Sequence, residues 1–351
     1  MTTSKYIQRI AASMLLFIAF SYAALAGNPD RAGSNGAAQL LINPWAKSSG
    51  LANAGSATIT GAEAIFQNVS GLAFTRKTEI MFNTSNYLVG SGINVSALGF
   101  SQKVGEASVI GISLTNMSFG DIEITTTDIP DGGVGTFRIN FSNIGVSYAK
   151  TFSNSIYGGM TLRLLSERLA NVGATGVAID AGIRYVTGKR ENLRFGISLR
   201  NLGPPMSYKG DALAVQVNQN DQPFTLLQRS DKFELPSQLN IGVAYDFIFT
   251  ESLKLTANGN FASNAFSKDQ FMTGLEMNIQ ERLAVRAGYM IENKGNSTYY
   301  SGVTNAWTGL GCGFSVMLPL NKDGGKFSFD YSYRSTNPFR GIHTVGGRLN
   351  L

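Results

Sequence analysis

The sequence predicts an all-β protein, a transmembrane antiparallel β-barrel of about fourteen strands preceded by an N-terminal, partly helical plug segment. Three observations predict it. From Thr78 to Leu351 apolar and polar residues alternate in short segments, the connections between segments alternate short and long, and the chain opens with an export signal. Period-two alternation is the pattern of a strand whose two faces meet different surroundings. A soluble sandwich has no reason to keep every second turn short, whereas an outer-membrane barrel combines short periplasmic turns with longer outer loops. Alternation alone does not say which face is inside, so a secreted β-sandwich with a buried apolar face stays open as the structural alternative.

The elements follow in chain order. Met1 to Ala26 carries Lys5 and Arg9, an apolar run from Ile10 to Phe20, and Ala24-Leu25-Ala26. That is a cleavable signal peptide, its apolar run being short for a bilayer span. Lys5 and Arg9 are its only charges, so the formal net charge of +6 falls by two to +4 on cleavage. With no basic run or basic aromatic stripe, the chain is not expected to bind nucleic acid. Gly27 to Lys77 is too apolar for a tail; its runs Gln39-Leu40-Leu41-Ile42 and Ala62-Glu63-Ala64-Ile65-Phe66 need an apolar place, and the periplasmic mouth of the barrel offers one.

The barrel occupies residues 78–351. Its clearest strand is Lys326 to Arg334, where Phe327, Phe329, Tyr331 and Tyr333 alternate with Lys326, Ser328, Asp330, Ser332 and Arg334. The same sorting recurs at Val177 to Tyr185, Leu193 to Arg200, Gln238 to Tyr245 and Leu253 to Asn258. Short connections are expected at Lys103 to Glu106, Thr151 to Ser155, Thr187 to Asn192, Phe249 to Glu251, Gln280 to Glu281 and Asn321 to Gly325. Longer ones are expected at Met117 to Thr136, Ser166 to Thr175, Leu202 to Glu234, Ala262 to Gln270, Glu292 to Ala306 and Ser335 to Arg340. An even strand count returns the chain to its starting side, which places both termini in the periplasm.

With lipid outside, the lumen inherits Arg163, Asp180, Arg184, Arg194, Arg200, Lys254, Glu276, Arg282, Arg286, Asp330, Arg334 and Arg348. Such a row is either an ion-pair network that fills the barrel or the lining of a polar conduit. Chemistry of other kinds is missing. The single histidine, His343, has no metal partner or catalytic serine nearby in sequence. Gly309-Leu310-Gly311-Cys312-Gly313 does not join a strand to a helix and reads as a barrel bend rather than a phosphate cradle. No enzyme and no cofactor are expected, although bound lipid, lipopolysaccharide or detergent is compatible with the fold.

Ala37 to Lys47 (AAQLLINPWAK), Gly50 to Gly55 (GLANAG) and Ala64 to Ala73 (AIFQNVSGLA) resemble the opening of the PorV/PorQ family. These are Bacteroidetes outer-membrane proteins related to the FadL fatty-acid transporters. Many members have Asn-Pro-Ala-Gly-Leu where this chain has Asn68-Val69-Ser70-Gly71-Leu72, and many end on an aromatic residue where this chain ends Arg348-Leu349-Asn350-Leu351. The resemblance implies a FadL-like barrel in the outer membrane that works with the type IX secretion system. Its implied partners are outer-membrane lipid, the translocon barrel, and the C-terminal signal domains of cargo.

Two functions follow as expectations. The first is a shuttle or accessory barrel whose outer loops hold a protein partner through Phe119, Pro204, Pro205, Tyr208, Phe224, Phe233, Tyr299 and Tyr300. The competing reading of those residues is that the loops fold over and close the mouth. The second function is FadL-like passive uptake of hydrophobic compounds. In both, Leu41, Ile42, Trp45, Ile65, Phe66 and Asn68 are the expected plug residues; a purely structural barrel remains a third possibility.

Overall fold

A computed structural model describes residues 31–219, 222–293, 305–320, 324–337 and 339–351. The signal peptide, Tyr299 and Tyr300 lie outside the described residues. Fourteen strands form one closed antiparallel barrel: β1 (Thr78–Tyr87), β2 (Ile93–Val104), β3 (Ser108–Glu123), β4 (Thr136–Thr151), β5 (Ile156–Leu169), β6 (Val172–Thr187), β7 (Leu193–Leu202), β11 (Gln238–Thr250), β12 (Leu253–Asn264), β13 (Gln270–Ile279), β14 (Leu283–Glu292), β15 (Gly309–Pro319), β16 (Lys326–Arg334) and β17 (Ile342–Asn350). Between β7 and β11 the chain adds β8 (Lys209–Gly210), which pairs with the end of β6, and a separate hairpin of β9 (Ala214–Gln219) and β10 (Gln222–Leu227). Closure is made by β1 against β17, in register from Glu79↔Asn350 to Asn86↔His343. Full closure leaves the fourteen barrel strands without a free sheet edge.

The alternation resolves which face is inside. Ile80, Phe82, Ile112, Val146, Leu164, Ile183, Ile197, Ile241, Leu275 and Phe329 are exposed on the outer wall, whereas Asn83, Ser113, Ser147, Thr161, Ser198, Asn240, Asn258 and Ser328 are buried. This is the reverse of a water-soluble core, and it rules out the sandwich. His343 belongs to the outer row, half-buried, with its Nδ1 2.8 Å from the Tyr331 hydroxyl.

Turn lengths alternate as expected with two exceptions. The β12–β13 connection is only residues 265–269, no longer than the short β6–β7 turn at residues 188–192. On the rim opposite the short turns, β5 and β6 are joined by only Ala170 and Asn171, where a long loop over Ser166 to Thr175 was expected. Ala170 takes a left-handed conformation (φ 48°), and the strands run on through the expected loop. The polar residues that suggested a loop are the upper parts of tall strands: β3, β4 and β6 span 16 residues each, against 10 in β1.

The segment before β1 lies inside the barrel. Its helical turns Ala46–Gly50, Gly61–Glu63, Ala64–Gln67 and Val69–Phe74 pack on strands around the wall, the first on β14 to β17 and the last on β3 to β6. Trp45, Leu51, Ile59, Ile65 and Leu72 are buried to 2% exposure or less. The segment begins at the long-loop rim, where Arg31 pairs with Glu234 at 2.7 Å and Gly36 N–H bonds the Glu234 carbonyl. It ends at the short-turn rim, where Thr78 and Leu351 bond each other. The described chain starts at the long-loop rim and finishes at the short-turn rim, because residues 31–77 thread the whole lumen; the expected periplasmic N-terminus falls outside the described residues.

Candidate functional site

The lumen is filled by apolar clusters and buried polar groups, and wall arginines hold the backbone of the inner segment. Arg163 pairs with Asp180 at 2.6 Å and donates to the Ile65 carbonyl at 3.0 Å. Arg184 donates to the Ile59 carbonyl at 2.6 Å and lies over Phe74. Arg200 donates to the Leu40 carbonyl at 3.2 Å and stacks 4.1 Å from the Phe66 ring centre. Carbonyls at the ends of short helical turns are unsatisfied within the turn, so a guanidinium with five donors is well suited to them. Arg194 pairs with Asp246, Arg286 with Glu276 at 2.5 Å, and Arg334 donates to the Trp307 carbonyl at 3.2 Å.

Sequence reasoning placed Arg163, Asp180, Arg184, Arg194, Arg200, Lys254, Glu276, Arg286, Asp330, Arg334 and Arg348 on the lumen side, and the structure does so. Arg282 is corrected. It shares their phase but sits in the turn before β14, exposed, because the lumen ends before it. Charges that the sequence reading missed include Lys47, Glu63, Glu79, Glu167, Asp246 and Glu292. Asp246 was legible, since it continues the row Gln238, Asn240, Gly242, Ala244. Glu63 was not, because no period governs a helical turn.

Glu63 is fully buried, accepts a hydrogen bond from Ser48 N–H at 2.7 Å and pairs with Arg348 of β17, whose guanidinium also lies 3.7 Å from Asp330. Lys47 reaches Glu276 at 3.7 Å. Glycines let the wall come this close. A Cβ on Gly311 would meet the Ser49 carbonyl oxygen at 2.8 Å and Ala52 N at 3.0 Å, so the Gly-rich stretch of β15 seats the inner segment and is not merely a bend.

The expected plug residues fall into two groups. Trp45, Ile65, Phe66 and Asn68 are buried, and Leu41 and Ile42 are half-buried. Asn68 begins the Val69–Phe74 turn: its Oδ1 accepts from Ser70 N–H, and its Nδ2 donates to the carbonyls of Ser56 and Ile183. Val69 therefore occupies the first helical position, where proline is favoured because no N–H is needed. The turn forms with valine since Asn68 caps it. Between this segment and β11 to β14 a space of ≈ 30 Å³ remains, bordered by Gln67, Arg200, Asn240, Asn264, Gln270 and Met290. That is room for a water or two, in polar surroundings.

At the long-loop rim the expected partner residues separate. Tyr208 and Phe233 stack at 5.3 Å and cover the cluster of Leu40, Leu165, Ala174, Ala178, Met206 and Leu235. Tyr208 also donates its hydroxyl to the buried Glu167, which accepts from Gln39 at 2.7 Å; burial, together with that bond, pushes the phenol up, so it stays a donor through neutral pH. For these two the mouth-closing reading holds. Phe119 is corrected from loop to strand: it lies in β3, edge-on to Phe141 at 5.1 Å. Pro204 and Pro205 are exposed. Tyr208→Phe leaves buried Glu167 short of one donor and should weaken the rim by about 1–3 kcal/mol. Faster amide exchange at Met206, Phe233 and Leu40, with the barrel strands unchanged, is the expected signature.

Phe224 is different. In the β9–β10 hairpin Val215 pairs with Leu226 and Val217 with Phe224, so their side chains share one face; Gln216, Asn218, Pro223 and Thr225 lie on the other. The four apolar side chains are 40–54% exposed, and the hairpin forms a two-stranded sheet of its own, separate from the barrel sheet.

A closed barrel with an apolar outer wall defines the class, a membrane-spanning β-barrel of the outer-membrane type. Similar folds occur in the CymD monoaromatic hydrocarbon channel (TM-score 0.56, 13% identity, 88% of this chain and 97% of that one), the Pseudomonas putida toluene transporter TodX (0.56, 12%, 88% and 97%) and a Pseudomonas aeruginosa FadL homologue (0.50, 10%, 87% and 98%). No curated protein matches the sequence. Over residues 27–266 the sequence matches the family of the type IX secretion system protein PorV, and the chain belongs to that family. Family and fold are those of an outer-membrane secretion or transport barrel and not of an enzyme class.

Proposed function

We propose that this barrel serves type IX secretion by holding a partner protein, the translocon barrel or the C-terminal signal domain of a cargo, at its long-loop rim. The observation that carries this reading is the amphipathic hairpin Ala214 to Leu227, whose apolar face is left uncovered. A lone two-stranded hairpin is marginal in water, so one with four exposed apolar side chains on a single face is built to be covered by something else. Short turns lie on the periplasmic side of such barrels, which puts the hairpin at the cell surface. Residues 27–77 act as the plug, and the lumen charges anchor it. The role needs no cofactor.

Replacing Gln216 to Thr225 with a short Gly-Asn turn should leave barrel assembly intact and cause at least one cargo class to accumulate unprocessed. Phe224→Ala should weaken partner binding by about 1–3 kcal/mol if the aromatic ring anchors the contact. Normal cargo processing by the hairpin deletion, together with lost uptake of a hydrophobic compound, would favour the transporter reading instead. The filled lumen weighs against that reading, since the space of ≈ 30 Å³ beside Gln67, Arg200 and Asn240 is small and polar-lined, whereas hydrophobic ligands bind in larger, mostly apolar pockets.

A further inference from the structure

At the short-turn rim the pattern of β11 breaks. Tyr245 and Phe247 follow the outer row, but Ile248 and Phe249 are then both exposed as well (39% and 63%), and the register against β12 shifts between Ile248 and Thr250. Three consecutive apolar side chains thus lie where the wall leaves the bilayer. Beside them the β6–β7 turn presents Lys189 and Arg190, both exposed. Together the strand end and the turn form an open groove of ≈ 370 Å³ lined by Lys189, Arg190, Asn192, Phe247, Ile248 and Phe249. Asp246 also borders the groove, but its carboxylate is taken up by Arg194 and by Lys254 at 3.5 Å. Glu191 and Glu251, exposed in the same two turns, line none of it. No other described short turn carries two adjacent cations.

Aromatic side chains at this level sit among lipid headgroups, and a cation pair above them meets phosphate. The groove is continuous with the lipid-facing wall through Tyr245, whose ring packs edge-on to Phe247 at 4.8 Å. We propose that it is a binding site for an anionic phospholipid of the leaflet on the short-turn side. The headgroup phosphate would lie on Lys189 and Arg190, and the acyl chains along Phe247 and Phe249. This inference goes beyond partner binding and uses the reading that the short turns face the periplasm.

The test is native mass spectrometry of the folded barrel in detergent, with phosphatidylglycerol, phosphatidylethanolamine or lipid A added. The wild type should retain phosphatidylglycerol in preference to the other two. Lys189→Gln/Arg190→Gln should reduce that retention on the order of tenfold, each interfacial cation being worth several-fold. A control with the same charge change at the same rim, Lys103→Gln/Arg282→Gln, should retain it as the wild type does. Unfaltering heat-modifiable mobility on gels would show that the variants are folded. Equal retention by wild type and the Lys189/Arg190 variant, an equal loss in the control, or preference for lipid A would each overturn the proposal.

Discussion

Replacing Glu63 with alanine should lower the temperature at which the barrel loses its compact mobility on unboiled gels. Glu63 is the most enclosed charge in the lumen, at 0% exposure, and its carboxylate joins the Ser48 amide of the inner segment to Arg348 of the last strand. Truncating one member of a buried pair strands the other; the usual cost is about 3–5 kcal/mol. Asp330, 3.7 Å from Arg348, takes over part of the charge, so the lower end of that range is expected. Glu63→Gln, which keeps an acceptor for the Ser48 amide and for Arg348, should recover part of the loss. If Glu63→Ala melts with the wild type, or Glu63→Gln is no better than Glu63→Ala, the carboxylate does not hold the segment in place.

The wall was readable from sequence because each strand separates two environments. Phe327 to Arg334 sorts without error, and every charge expected on the lumen side of a strand interior is there. Reading failed where that separation ends. Arg282 kept the inward phase but lies past the lumen, and the polar tops of β5 and β6 looked like a loop.

The inner segment was readable only as apolar chain in need of shelter. Its position depends on single contacts such as Glu63 with Arg348 or Asn68 with the Ile183 carbonyl, which join residues 285 and 115 positions apart and leave no local pattern. The rim was read in part. Aromatic content marked the loop between β7 and β11, but content cannot separate Tyr208, which closes the mouth over Glu167, from Phe224, which stands exposed on a hairpin. Strand pairing makes that distinction: it puts Phe224 beside Val217 and one step from Leu226 on a single face.

Ile197→Arg should be among the costliest changes to the outer wall, and its cost should depend on depth. Ile197 pairs with Ile183 on β6 and Ile241 on β11, and all three are exposed on the outer face. An arginine at mid-bilayer on that face costs about 2–4 kcal/mol, whereas near an interface the cost falls to about 0–1 kcal/mol. Leu202, at the long-loop end of the same strand and also outward, supplies the comparison. From sequence alone Ser198→Arg serves as a cheap lumen-side control, but the structure removes that use. Ser198 is 2% exposed and donates to the Gln67 carbonyl at 2.7 Å, so an arginine there overpacks the inner segment at about 1–3 kcal/mol. Reversible folding into lipid vesicles, followed by denaturant titration, would measure all three. Ile197→Arg should lose clearly more than Leu202→Arg; equal losses would mean that Ile197 does not sit at mid-bilayer depth on the lipid-facing wall.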